Sequence, residues 1–314
     1  MTAARVKNIC KRKVDLKYKV IETLNRSRHF NLPTACKKFF PSTSTGFFLR
    51  DKIFSEVIEL RLIVGVLAIL SALIFFLPEP EGFPILEYHQ VTDAPLDPDF
   101  EVYNVPPAEF AAQLDYLQAQ GYTTITLQDF MRAVHGKATL PEKPIVLTFD
   151  DGYEDNFSVM FPLLKARGMT AVVYVITNEL GKKNYLKLDE LKAMQNYGLE
   201  IGSHTADHLP LTTLDKEIQL RQIRESKIFL EWSGLKTIYS LSYPNGAFDS
   251  ELEKILREEN YLTAVTGEAG LNNLTTNPYE LYRVHIRKPR FGLTEFKFRL
   301  WKAKFFAKFR SLVN

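Results

Sequence analysis

From Phe83 to Ile286 the sequence alternates short apolar runs with helix-periodic segments, and glycine marks many of the joints. Strands are expected at 84–88, 122–127, 145–149, 170–176, 199–203, 237–241, 262–265 and 281–286. Helices are expected at 107–120, after 149 up to 167, and at 188–197, 213–232 and 250–259, with Asp129 opening a further one. Within 107–120, Phe110, Leu114 and Leu117 share one helical stripe, which Gly121 closes. Strand–helix units with short turns predict an α/β fold on a parallel sheet, closed as a barrel or open and doubly wound. In both architectures functional side chains collect beyond the carboxyl ends of the strands.

Several chemically capable residues stand just past such ends. Asp150, Asp151 and Gly152 follow one strand, and His204 and His208 follow another. Tyr243 and His89 occupy similar positions. An Asp-Asp-Gly by itself is commonly only a turn, and two histidines four apart are often a surface accident. Both at strand ends in one sheet favour a metal site. Two imidazoles and one carboxylate make a facial ligand set for a divalent ion with an open position. The neighbouring carboxylate then stays free to take a proton from the attacking water. Thr205, and not glutamate, follows His204, which excludes the zincin helix motif.

The formal net charge of the 314 residues is +3, but the charges are segregated. Residues 1–61 carry 14 Lys/Arg against 5 Asp/Glu, and 283–314 carry 10 against 1. The intervening 62–282 carry 16 against 31. An acidic body argues against a nucleic-acid-binding domain, and the basic ends suit a membrane surface. Both cysteines, Cys10 and Cys36, precede the main domain, so no disulfide framework is expected there.

Residues 62–77 are uncharged and apolar on every side, which favours a single transmembrane helix over a core helix. The long basic flank and the absence of a small-x-small site disfavour a cleaved signal peptide. The expected order is a basic cytoplasmic segment at 1–61, an anchor at 62–77, a catalytic domain at 78–290 and a basic amphipathic tail at 291–314. The basic flank places the N-terminus in the cytoplasm and the domain outside, on the bacterial periplasmic or cell-surface side. In the tail, Phe298, Trp301, Phe305, Phe309 and Leu312 recur at helical spacing, bordered by Lys297, Lys304 and Lys308. That pattern suits an interfacial helix on anionic lipid, the plainer reading being a helix docked on the domain.

The motifs Thr148-Phe149-Asp150-Asp151-Gly152 and His204-Thr205-Ala206-Asp207-His208 resemble the first two motifs of the polysaccharide deacetylases, the NodB-homology carbohydrate esterases. Tyr243-Pro244-Asn245-Gly246 is similar to their third. The resemblance spans about 83–290 and implies a distorted (β/α) barrel of about seven strands with one divalent metal ion, zinc above others. It implies metal-dependent removal of acetyl groups from an N-acetylglucosamine-containing polysaccharide. Carried over, Asp150 is the base, Asp151, His204 and His208 hold the metal, and the Tyr243 N–H helps hold the oxyanion. The stretch 84–91, which holds His89, precedes the Asp-Asp motif, which is similar to the circularly permuted branch of poly-β-1,6-N-acetylglucosamine deacetylases. It makes His89 the general acid, with His285 the rival. Ser242 stands where the family usually has an arginine that orients the base, and Arg283 on the last strand is the candidate substitute. Alternatives are a peptidoglycan- or chitin-type deacetylase, an O-acetyl esterase, or a non-catalytic sugar-binding protein.

Overall fold

The computed structural model describes residues 61–66, 82–95 and 98–310. Two compact units are present, Met1–Ser71 and Ala72–Asn314. In the first, residues 61–66 are helical. Among the described residues no helix is long and apolar enough to cross a membrane. Of the expected cytoplasmic segment only Arg61, and of the expected anchor only residues 62–66, are among the described residues.

The second unit is built on eight parallel strands: β1 (Ile85–Tyr88), β2 (Thr123–Thr124), β3 (Pro144–Phe149), β4 (Val172–Val175), β5 (Glu200–Ser203), β6 (Ser240–Ser242), β7 (Thr263–Ala269) and β8 (Leu281–His285). Strand β1 pairs with β3, Glu87 opposite Thr148, and also with β8, Glu87 opposite His285. Those two pairings close seven strands into a ring, with β2 a short spur on β3. The architecture is therefore the barrel and not the open sheet. The helices are α1 (Pro107–Ala119), α2 (Leu127–Val134), α3 (Phe161–Lys165), α4 (Leu188–Tyr197), α5 (Lys216–Trp232), α6 (Ser250–Glu258) and α7 (Leu293–Arg310).

Strand side chains alternate between two cores, as the period of two requires. Leu86, Tyr88, Leu147, Phe149, Val173, Ile201, Leu241 and Val284 pack outward against the apolar faces of the helices. Ile85, Val146, Val172, Tyr174, Val265 and Leu281 form the barrel interior, closed off by Leu127, Phe130 and Met131 of α2. Above this apolar floor the next inward positions are polar: Glu87, Thr148, Ser242 and Arg283, all buried. The fold thus presents a charged layer at the carboxyl ends, supported from below by hydrocarbon. Near the floor, Glu200 accepts the N–H of Gln128 at 3.0 Å, and burial pushes its carboxyl up to about 7.

Two expected elements differ. The strand expected at 122–127 is reduced to Thr123–Thr124, because Thr126 caps α2 in a reciprocal box with Asp129. Asp129 therefore sits inside the first turn and does not open the helix. The single helix expected up to 167 is a π turn at Asn156–Met160 followed by α3.

The tail has two apolar faces. Phe296 and Leu300 of α7 are buried in the outer core, which is the docked-helix reading. On the opposite side Phe298 and Trp301 stay more than half exposed, and Phe298, Trp301 and Phe305 stack in series with centroids 5.6 and 5.1 Å apart. Lys297 and Lys304 lean over Tyr116 and Tyr122. Residues 311–314, with Leu312, are outside the described residues.

Candidate active site

Two loops carry the expected metal ligands, and both adopt backbone that side chains normally avoid. Asp151, Thr205 and His208 take φ values of 73°, 67° and 56°. For a β-branched residue such as Thr205 this left-handed conformation costs about 1–3 kcal/mol, so the surroundings must enforce it. They do so by hydrogen bonds. Ser203 Oγ accepts the Thr205 N–H at 3.1 Å, and Thr205 Oγ1 accepts the His208 N–H at 3.0 Å. Asp207, between the two histidines, is held by Asn178 and by Gln222 of α5, each donating at 2.6 Å. After Asp151, Gly152 has φ 76° and lies where a Cβ would come 2.9 Å from Val175 Cγ1. Only glycine fits that turn.

The result is a compact donor set. One ligand atom each from Asp151, His204 and His208 lies within 4.8 Å of the others. Asp151 Oδ1 is 3.5 Å from His204 Nε2 and 3.7 Å from His208 Nε2. His204 Nδ1 lies 2.7 Å from the carbonyl of Ser242, which can only accept, so Nδ1 donates there and Nε2 is the nitrogen that faces the cluster. Burial and the nearby His204 hold His208 below the usual histidine range, which favours the neutral ligating imidazole. Two imidazoles and a carboxylate brought together in this way fit a divalent ion of the zinc type.

Asp150 Oδ2 lies 3.9 Å from His204 Nε2, but the Asp150 carboxylate is committed to other partners. Its carboxylate is 2% exposed and meets Arg283 Nη1 at 2.9 and 2.8 Å, while Ser242 Oγ donates to Oδ2 at 3.0 Å. Burial would raise the Asp150 carboxyl, but Arg283, His204 and His89 outweigh it and hold it at about 2. It is therefore an ionised acceptor at neutral pH. Arg283 in turn donates Nη2 to Glu87 at 2.9 Å and Nε to the carbonyl of Thr266 at 2.9 Å. Asp150, Arg283 and Glu87 thus form a buried row of alternating charge.

The other expected residues are placed as follows. His89 is half-buried, its ring 4.8 Å from that of Tyr103, with Nδ1 buried and without a hydrogen bond. Asn156 Nδ2 donates to the His89 carbonyl at 2.9 Å and so fixes its backbone. His285 has both ring nitrogens engaged, Nδ1 by Glu87 and Nε2 by the carbonyl of Gly267, each at 2.8 Å. The N–H of Tyr243, expected to face the oxyanion, is directed instead to the carbonyl of Val265 at 3.2 Å, as the sheet continues one residue past β6. The Tyr243 ring is fully buried, stacked on Phe248, with its hydroxyl on the Tyr279 carbonyl, so it is core and not a sugar platform. Phe157 likewise packs on Phe161. Tyr153, stacked on Tyr185 at 5.4 Å beside the Asp151 loop, remains partly exposed.

Glu87 and the loop-holding Gln222 were not among the expected site residues. Glu87 carried a readable signal, since it is a lone charge in an otherwise apolar strand and shares the inward face with His89. Gln222 carried none, because an amide on a long polar helix looks like solvated surface.

The polysaccharide deacetylase family model matches residues 137–264, from just before β3 into β7. That span contains Asp150, Asp151, His204, His208 and Tyr243, and leaves out β1 and β8. YxkH of Bacillus subtilis (strain 168), named as a polysaccharide deacetylase, is 32% identical over 208 residues, covering 66% of this chain and 72% of its own length. The poly-β-1,6-N-acetyl-D-glucosamine N-deacetylase of Staphylococcus aureus (strain MRSA252) is 24% identical over 203 residues, 60% of this chain and 70% of that protein. Among solved structures, the Streptococcus pyogenes deacetylase PplD in complex with acetate superposes with a TM-score of 0.64 at 26% identity, covering 72% of this chain and 99% of PplD. IcaB from Ammonifex degensii superposes with a TM-score of 0.62 at 26% identity, covering 71% and 97%. With its aspartate and histidine motifs converging on one barrel mouth, this chain belongs to the polysaccharide deacetylase family, whose members are hydrolytic de-N-acetylases.

Proposed function

We propose that the domain removes acetyl groups from N-acetylglucosamine units of a polysaccharide, with one divalent ion, zinc foremost, held by Asp151, His204 and His208. The observation that carries this reading is the division of labour between neighbours: Asp151 faces two imidazoles, while Asp150 is gripped by Arg283. The similarity to a poly-β-1,6-N-acetyl-D-glucosamine N-deacetylase supports an amino-sugar polymer as the substrate. A bound divalent ion supplies Lewis acidity, acidifying water and polarising the acetyl carbonyl. Asp150 accepts the proton of the attacking water, oriented by Arg283 and Ser242. His89 gives a proton to the departing amine nitrogen. The Tyr243 N–H is engaged by the Val265 carbonyl at 3.2 Å, so the oxyanion role falls to the bound ion in this reading.

The test is acetate release, with matching appearance of free amine, from N-acetylglucosamine oligomers by the metal-loaded full chain in detergent. Release that disappears on chelation and returns with zinc is the expected result. Release only from O-acetyl esters overturns the reading, and release confined to chitin-type or peptidoglycan fragments keeps the de-N-acetylation but replaces the β-1,6-linked polymer as the substrate. No release from any acetylated glycan favours a sugar-binding protein.

On the same reading the uncharged run 62–77 anchors the enzyme, with 1–61 in the cytoplasm and the catalytic domain outside. The outward aromatic face of α7, in a tail (291–314) of 6 Lys/Arg against 1 Asp/Glu, lies on anionic lipid. The chain has two tryptophans, and Trp232 is 87% exposed, so Trp232→Phe leaves Trp301 as a reporter. In vesicles containing anionic phospholipid, brominated acyl chains are expected to quench Trp301. Emission indifferent to bromine but quenched by aqueous iodide removes the lipid contact.

A further inference from the structure

We propose that Glu87 and His285 are positioning residues that lock the Arg283 guanidinium onto Asp150. The proposal rests on the reading of Asp150 as the base, and it assigns a task to two side chains from the strands that close the barrel. Arg283 has three nitrogens and all three are committed: Nε to Thr266 O, Nη1 to both Asp150 oxygens, and Nη2 to Glu87 Oε2. Three anchors on a planar fork fix its orientation as well as its charge. Glu87 is itself held from its other oxygen by His285 Nδ1 at 2.8 Å.

The state of His285 follows from its partners. Gly267 offers a carbonyl oxygen, which can only accept, so Nε2 carries a proton. Glu87 lies 6% exposed between a guanidinium and this ring, an environment that keeps it ionised, and so Nδ1 carries a proton too. The hydrogen bond to Glu87 keeps His285 above the usual histidine range despite burial, and Arg283 with His285 holds Glu87 below the carboxylate range. The row His285, Glu87, Arg283, Asp150 is then plus, minus, plus, minus. Each buried charge has an opposite neighbour, and the row sums to zero. Removing an outer member leaves a buried charge without its partner, and the next one relaxes toward whatever remains. His285, with 28% of its side chain exposed at the rim, is the outermost link. Because both its nitrogens are bound to acceptors, it has no free proton aimed at a leaving group, which separates its task from that of His89.

The experiment uses the metal-loaded full chain. Glu87→Gln is expected to lower kcat by about 10–100-fold with KM and bound metal little changed, as for other residues that orient a reacting group. In an Arg283→Met background the same change is expected to cost nothing further, or to restore activity, because the residue it acts through is gone. An equal loss in both backgrounds overturns the proposal, and so does a loss of metal that accounts for the loss of rate. His285→Gln, at a partly exposed position, gives the milder variant should Glu87→Gln fail to fold, and the same non-additivity with Arg283→Met is expected. Independently of turnover, nitrogen NMR of the His285 ring at pH 7.5 should show both nitrogens protonated. A neutral ring there overturns the charge row. If Asp150→Asn keeps full activity, the base reading fails instead, while the ring signature and the row of charges are untouched.

Discussion

Asp150→Asn is expected to lower acetate release by about a thousandfold while leaving one equivalent of metal bound. Asparagine keeps the shape of the side chain and its acceptor for the Ser242 hydroxyl, but it has no basic oxygen to take a proton. The carboxylate it replaces is ionised throughout the neutral range, because Arg283 at 2.8 Å outweighs the effect of its burial. The substitution also leaves Arg283 with one anion, Glu87, in place of two. Loss of a partner from a buried ion pair typically destabilises by about 3–5 kcal/mol, so thermal unfolding must be followed beside activity. A folded, metal-loaded Asp150→Asn protein that releases acetate at the original rate would refute the assignment of the base.

His204→Ala is expected to abolish both metal retention and turnover, whereas His89→Ala keeps the metal and loses about 10²–10⁴-fold in rate. The two histidines differ in what surrounds them. His204 is 2% exposed, its Nδ1 is engaged by the Ser242 carbonyl, and its Nε2 faces Asp151. Its removal deletes a ligand that no neighbour replaces. His89 stands outside the three-residue donor cluster, just past the end of β1, the strand paired with β3. Metal content measured by elemental analysis alongside acetate release separates the roles. Loss of metal from His89→Ala would make it a ligand, and full activity in that variant would return the acid to another group.

Much of the site was legible because its parts are local. An Asp-Asp-Gly after one strand and two histidines after another identify a donor set by residue type and position. The left-handed φ of Asp151 and the steric demand for Gly152 are the physical content of that short motif. The strand order was less legible. The sequence predicts a full strand where β2 has two residues, since Thr123, Thr124 and Thr126 all suit β structure. Only the cap on α2 shows that Thr126 was recruited to the helix. Tyr243 was misplaced for a related reason, because a residue just past a strand can still donate to the neighbouring strand.

The sequence by itself determined the chemistry available: the alternation of strands and helices, the inward and outward face of each strand, and the pairs Asp150–Asp151 and His204–His208. These follow from periodicity and from contacts within a few residues, which any local window contains. Only the tertiary structure decided which inward faces meet. Glu87 and His285 are 198 positions apart, and Asp150 and Arg283 are 133 apart, yet each pair is in hydrogen-bond contact. Closure of β1 against both β3 and β8 makes those contacts. Strand alternation gives a side chain its face but not its neighbour, and in a ring the neighbour is fixed by the pairing that joins the first strand to the last.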